Sequence, residues 1–255
     1  MSNKKEREKR REERLAEEAR VDTTDRRSRL LQMGAGAVFL VIVVVVVLIV
    51  VQASSSSSGG DTKLEEVSTV NKLFTGIPQE KLILGDPKAP VSLFEYGDLQ
   101  CPVCKAYSEE ILPPIIENKV KNGEVNLEFR NFIIIGEQSV PAGAAALAAG
   151  EQGRGWNYIE LFYRNQGTEN SGYVTESFIE AVAKSAGVKD LAKFNKERKE
   201  SEKTTTINNT TEEAKRFGFT GTPSFAIEGP NSKGLELLGS PGSTAAIEEA
   251  IQGAE

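Results

Sequence analysis

Residues 1–32 mix both charge signs at helical spacing, with acidic positions such as Glu8 and Glu12 able to pair with basic neighbours three or four residues away. That pattern predicts a solvated tail. Between Met33 and Val51 the charges vanish, and 37–51 is almost purely aliphatic. At 1.5 Å per residue the stretch reaches about 28 Å, so 33–53 is expected to form a single transmembrane helix. The serines and glycines of 54–60 have nothing apolar to bury and predict a flexible linker. The remainder, 61–255, has the mixed patterning of a folded domain.

Within that domain, 81–84 predicts a short edge strand, followed by a Gly-Asp-Pro turn. VSLFEY at 91–96 is apolar on both faces, as in a strand covered on both sides. A helix is expected over 101–112, kinked or restarted at Pro113 and Pro114 and ended at Lys121-Asn122-Gly123. A strand at 125–132 follows, so strand, helix and strand imply a parallel pair with a right-handed crossover. The segments 140–149, 156–163, 176–186 and 190–204 have helical character and predict an inserted helical lobe over about 136–205. Residues 211–217 then lead into Gly221-Thr222-Pro223-Ser224-Phe225, a strand to about Glu228, a last strand near 235–238 and a final helix from Ser243. Trp156, Tyr158, Phe162 and Tyr163 fall at helical spacings and are expected in the core.

Charge orients this plan. Residues 1–32 hold 11 Lys and Arg against 8 Asp and Glu, whereas the rest of the chain holds 20 against 29. The positive-inside rule therefore places the N-terminus in the cytoplasm and the domain outside, as a single-pass cell-membrane protein. Two alternatives are signals: Val51-Gln52-Ala53 resembles a signal-peptidase site, and Arg26-Arg27 before Leu30-Leu31 faintly resembles a twin-arginine signal. The long charged segment and the long apolar run favour an uncleaved anchor. So acidic a domain lacks the electrostatic footprint of a nucleic-acid binder.

The chain has no histidine, which excludes Ser-His-Asp triads, Cys-His dyads and histidine metal ligands. Its two cysteines, Cys101 and Cys104, are three apart, the spacing that lets two thiols meet in the first turn of a helix. At a helix start, Cys101 would gain from unpaired amides and the positive end of the dipole, which makes it the nucleophile. Cys104, one turn in, is the shielded resolving thiol. Pro102 suits the first turn because its missing amide hydrogen would have been unbonded there. A zinc site within one chain lacks further soft ligands, so no metal is expected, and no cofactor beyond a redox-active Cys101–Cys104 disulfide.

FEYGDLQCPVCKAY, the RNF of Arg130 to Phe132 and FGFTGTPSF together resemble the DsbA-like branch of the thioredoxin superfamily, over about 82–251. The resemblance implies an α/β thioredoxin fold with an inserted helical subdomain. It also implies a thiol-disulfide oxidoreductase acting on reduced exported proteins. Glu95, six residues before Cys101, falls where the family keeps a buried acid beneath the disulfide; alternation puts it on the face of Val91 and Leu93, and it could take the proton of Cys104. Thr222-Pro223 resembles the family's cis-proline segment, which offers backbone hydrogen bonds to an extended substrate. Asp98 could sit near the active-site rim, although a turn aspartate is the simpler reading, and Lys105 could add to thiolate stabilisation, although a solvated helix lysine is the simpler reading.

The dipeptide Pro102-Val103 lacks the histidine that helps to stabilise the thiolate in strongly oxidising members, so electron flow is open in direction. An oxidase would be returned to its disulfide form by a membrane quinone-linked thiol oxidase, DsbB-like or VKOR-like. A membrane-tethered reductase or isomerase would rest in the reduced state. A non-catalytic tethered chaperone or binding module would use the cysteines only as a staple.

Overall fold

The computed structural model describes residues 63–255; the expected tail 1–32, transmembrane helix 33–53 and linker 54–60 lie outside the described residues. Among the described residues no helix is long and apolar enough to cross a membrane. A first helix, α1 (Val67–Leu73), leads into a hairpin of β1 (Gln79–Glu80) and β2 (Ile83–Leu84). The expected strand over 81–84 is therefore corrected. Lys81 has φ +52° in the tight turn, and the edge strand is β1, with β2 paired inward to β4.

β3 (Val91–Gly97) and β4 (Val125–Asn131) are parallel, registered from Val91 against Val125 to Gly97 against Asn131. β5 (Ser224–Glu228) runs antiparallel to β3, setting Phe225 beside Glu95, and β6 (Glu236–Gly239) closes the far edge. The order is β1-β2-β4-β3-β5-β6. Strand alternation divides the interior. Val91 and Leu93 point into the larger core, which includes both cysteines, while Phe94 and Tyr96 face a smaller one with Phe132, Ala214, Phe219 and Ala226.

Between β3 and β4 the helical run does not break at the prolines. Pro102–Ala106, Tyr107–Ile111, Leu112–Ile115 and Ile116–Val120 form one continuous helix, α2, whose second and fourth segments are π-turns. Pro113 and Pro114 have no amide hydrogen for the carbonyls of Glu109 and Glu110. The π-turn just before them widens the hydrogen-bond spacing there, so the helix runs on past the missing donors.

Between β4 and β5 lie α3 (Ser139–Gly150), α4 (Gly155–Arg164), α5 (Glu176–Ser185), α6 (Leu191–Glu197) and α7 (Ser201–Arg216). The single helix expected over 190–204 is two. Lys199 and Glu200 turn back on the carbonyls of Lys196 and Glu197, and Arg198 is buried against Glu176. α7 then runs on through 211–216, which looked like a connecting segment. It bridges the lobe and the sheet: Lys203 pairs with Glu151 at the end of α3, while Thr210 donates to Asn131 O at 2.7 Å and Ala214 packs under Phe94 and Tyr96. The lobe seats closely against the hairpin, because a Cβ on Gly150 would come within 2.7 Å of Lys81 O, and one on Gly155 closer still. α8 (Thr244–Ala254), capped by Ser243, completes the cover.

Candidate active site

The end of β3 delivers the loop of Asp98, Leu99 and Gln100 into the protein interior, where its polar side chains are all partnered. Asp98 is fully buried: Oδ2 accepts from the amides of Ile134 and Ile135, both at 3.0 Å, and Oδ1 accepts from Gln100 N at 2.9 Å. Its carbonyl accepts the Cys101 amide at 2.9 Å and the Tyr163 hydroxyl at 3.3 Å. The lobe holds the rest. Gln100 donates to Ser139 Oγ and accepts from Asn170 N, and Gln166 donates to Leu99 O at 2.8 Å and Cys101 O at 3.2 Å. One residue before Gln166, Asn165 exchanges two hydrogen bonds with the backbone of Glu65.

This loop presents Cys101 as the N-cap of α2 in extended backbone geometry, with Pro102 at the first helical position. Both cysteines are free and buried, and the Cys104 amide donates to Cys101 Sγ at 3.4 Å. Hydrogen bonding from the Cys104 thiol lowers the Cys101 thiol to about 6, against the opposing effect of burial, with the Cys104 and Val103 amides adding to it. Burial, then the hydrogen bond to Cys101, push the Cys104 thiol well above the usual thiol range. The two sulfurs thus differ in role: one is stabilised as thiolate, the other kept as thiol. Val103 is 51% exposed beside them and forms an apolar lip.

Thr222-Pro223 is a cis peptide bond, and the Cys101 thiol donates to Thr222 O at 3.4 Å. Ser240 holds the next carbonyl, that of Pro223, at 2.6 Å, and Tyr107 stacks on Phe225 with ring centres 5.8 Å apart. Glu95 is buried, with no hydrogen-bond partner for Oε1 among the described residues. Burial, followed by Glu160 and Cys101, raises its carboxyl to about 8. Lys105 is partly exposed and 3.8 Å from Glu109.

Cys101, Cys104, Glu95, Thr222 and Pro223 are thus gathered at the ends of β3 and β5, with Pro102 and Val103 on the rim. Asp98 is the expected turn aspartate, accepting from the amides of Gln100 and Cys101, but it is buried as an anchor. Two further parts of the site were not foreseen. Gln166 reaches the loop from the lobe. Glu160, buried in α4, takes hydrogen bonds from Ser108 and Arg164. Its one sequence signal is the four-residue spacing to Arg164 within an otherwise aromatic helix.

A parallel strand pair flanking a helix that opens on two cysteines, with a cis-proline turn facing the first, defines a thioredoxin-type fold built for thiol chemistry. Residues 78–249 match the family model described as thioredoxin, and the chain belongs to that family. It is 28% identical over 162 residues to a probable disulfide bond formation protein D of Bacillus cereus, covering 62% of this chain and 74% of that one. Its fold is similar to oxidised BdbD from Bacillus subtilis, with TM-score 0.60 and 21% identity over 69% of this chain and 95% of that one. It is also similar to alpha-DsbA1 of Wolbachia pipientis, with TM-score 0.58 and 22% identity over 72% and 95%. The protein is a thiol-disulfide oxidoreductase with a DsbA-like fold, its helical lobe inserted between β4 and β5.

Proposed function

We propose that the protein introduces disulfides into exported proteins by dithiol-disulfide exchange through Cys101-Pro102-Val103-Cys104. The observation that carries this reading is the lowered Cys101 thiol, held at about 6 at a helix N-cap while Cys104 is kept protonated. A thiolate stabilised in the reduced enzyme makes the disulfide the better oxidant. The names of the curated relatives, disulfide bond formation proteins, point the same way.

In this reading a substrate thiolate attacks Cys101 Sγ of the disulfide, and Cys104 leaves, protonated by Glu95. The backbone at Thr222 and Pro223 aligns the substrate strand beside Cys101. Residues 33–53 anchor the domain on the outer side of the cell membrane, with 1–32 in the cytoplasm and 54–60 as linker. Reduced exported proteins are the substrates, and a membrane quinone-linked thiol oxidase of the DsbB or VKOR kind returns the enzyme to its disulfide form. No further cofactor or metal is needed for the exchange.

The test is the reduction potential of the Cys101/Cys104 couple in the full chain, equilibrated against glutathione buffers and read by thiol labelling. A potential above that of thioredoxin, toward the DsbA value, supports an oxidase. One at or below thioredoxin assigns the chain to the reductase reading.

A further inference from the structure

Glu160 is a buried carboxyl that the exchange chemistry above leaves without a role. It lies on α4 among Trp156, Tyr158, Ile159, Phe162 and Tyr163, all buried. Ser108 Oγ donates to its Oε2, and Arg164 donates to its Oε1 from Nε at 2.8 Å and Nη2 at 2.7 Å. Ser108 follows Cys104 by four residues on the active-site helix, and both are buried, so the Glu160 carboxyl meets that helix about one turn from Cys104.

Glu95 lies within electrostatic reach of both Cys104 and Glu160. The two acids are supported unequally. Glu160 has a hydroxyl and a guanidinium, whereas Glu95 Oε1 has no partner among the described residues. Two carboxyls sharing a low-dielectric interior do not both ionise readily, and the negative charge settles on the one with the cation. The other groups facing Glu160 are Glu109 on α2 and, through Arg164 at 3.9 Å, Glu66. Burial holds the Glu160 carboxyl above its ordinary range, while Ser108 and Arg164 act against it in favour of the ionised form.

We propose that Glu160 is a positioning residue for disulfide exchange: fixed by Ser108 and Arg164, its carboxylate keeps Glu95 protonated, so that Glu95 can protonate Cys104 as it leaves. The substrate thiolate forms a bond to Cys101 Sγ as the Cys101–Cys104 bond breaks. The electron pair goes to Cys104 Sγ, which takes the Glu95 proton, and Glu95 is left as carboxylate. The substrate sulfur is oxidised and Cys104 reduced. The inference rests on Cys101 and Cys104 being the exchanging pair and is independent of the net direction of electron flow.

The test measures mixed-disulfide formation by the oxidised full chain with a cysteine-containing peptide, each rate divided by the peptide's thiolate fraction, across the pH range. With the disulfide in place the Cys101 contribution to Glu95 drops out, so the rate should fall off at a midpoint somewhat below 8. In Glu160→Gln, which can still accept from Ser108 and Arg164, the midpoint should move down by about one pH unit, slowing the step about tenfold above it. In a Glu95→Gln background, Glu160→Gln should change nothing further. An unmoved midpoint, or an equal effect in both backgrounds, removes the role of Glu160. No mixed disulfide from the unaltered chain removes the exchange reading itself. Should the variants not fold, carboxyl-carbon NMR on the unaltered oxidised protein decides: a raised, coupled titration of Glu95 supports the role, and an ordinary independent one overturns it.

Discussion

The Cys101 thiol points at the backbone carbonyl of Thr222, 3.4 Å away and 121 positions along the chain. Cys101 and the backbone edge proposed to meet substrate are therefore joined through β3 and β5, which register Glu95 opposite Phe225 between them. In the proposed exchange a substrate sulfur reaching Cys101 arrives alongside this edge, so that its flanking residues can pair with the backbone there.

Replacing Cys101 with serine should reduce exchange to the background rate. Cys104→Ser should instead accumulate mixed disulfides through Cys101, visible as reductant-sensitive conjugates on non-reducing gels. Thiolate absorbance of the reduced chain should titrate near pH 6 and lose that transition in Cys101→Ser. Because the folded value is depressed, the stability this thiolate gives the reduced form is fully present above the unfolded thiol value, about 8.5, and is lost as pH falls through 6. Equal exchange rates in Cys101→Ser and the unaltered chain would leave only the staple reading.

Glu95 titrates with the opposite sign. Its folded carboxyl is raised to about 8, so its contribution to stability is greatest below the ordinary carboxyl range and declines as pH rises toward 8. Glu95→Gln should remove this decline, on the order of 3 kcal/mol at pH 7, flattening denaturation midpoints across that range. The same variant should exchange about a hundredfold more slowly. A variant both less stable at neutral pH and equally fast would contradict the assignment.

Asp98→Asn leaves one of the three backbone amides at 134, 135 and 100 facing an amide nitrogen instead of an oxygen. The expected loss is about 2–3 kcal/mol in urea denaturation, with an upward drift of the Cys101 thiol as its loop loosens. No change in either quantity would mean that the anchor is redundant.

Gly155→Ala tests the seating of the lobe, since the added Cβ meets Lys81 O and the Leu82 side chain. A loss of about 1–3 kcal/mol is expected in thermal melts, with Cys101 chemistry retained. An unchanged melting temperature would show that the hairpin yields freely.

How much of this was legible in the sequence depended on local pattern. β3 was readable because VSLFEY is apolar throughout, and the cysteines and the Thr-Pro turn because their chemistry is tied to spacing and motif. α7 was hidden because its threonines are poor helix formers; in the fold, Thr205, Thr206 and Thr210 hydrogen-bond back to carbonyls four residues earlier. The helix survives on tertiary contacts, which no window along the chain displays. Glu160, and the burial of Asp98, escaped notice for a related reason. A buried acid is identified by its partners, and while Gln100 and Arg164 are local, Ile134, Ile135 and Ser108 lie on other elements.

The Glu65–Asn165 exchange determines where the polypeptide enters the fold: next to the glutamine that holds the Leu99 and Cys101 carbonyls. With 33–53 in a bilayer, as proposed, the eleven residues from 54 to 64 extend to about 39 Å at most. The leash is thus fastened next to a residue that braces the active-site loop. In the proposed topology its length limits how far Leu64 can lie from the lipid, which would favour a reoxidant that is itself bound to the membrane.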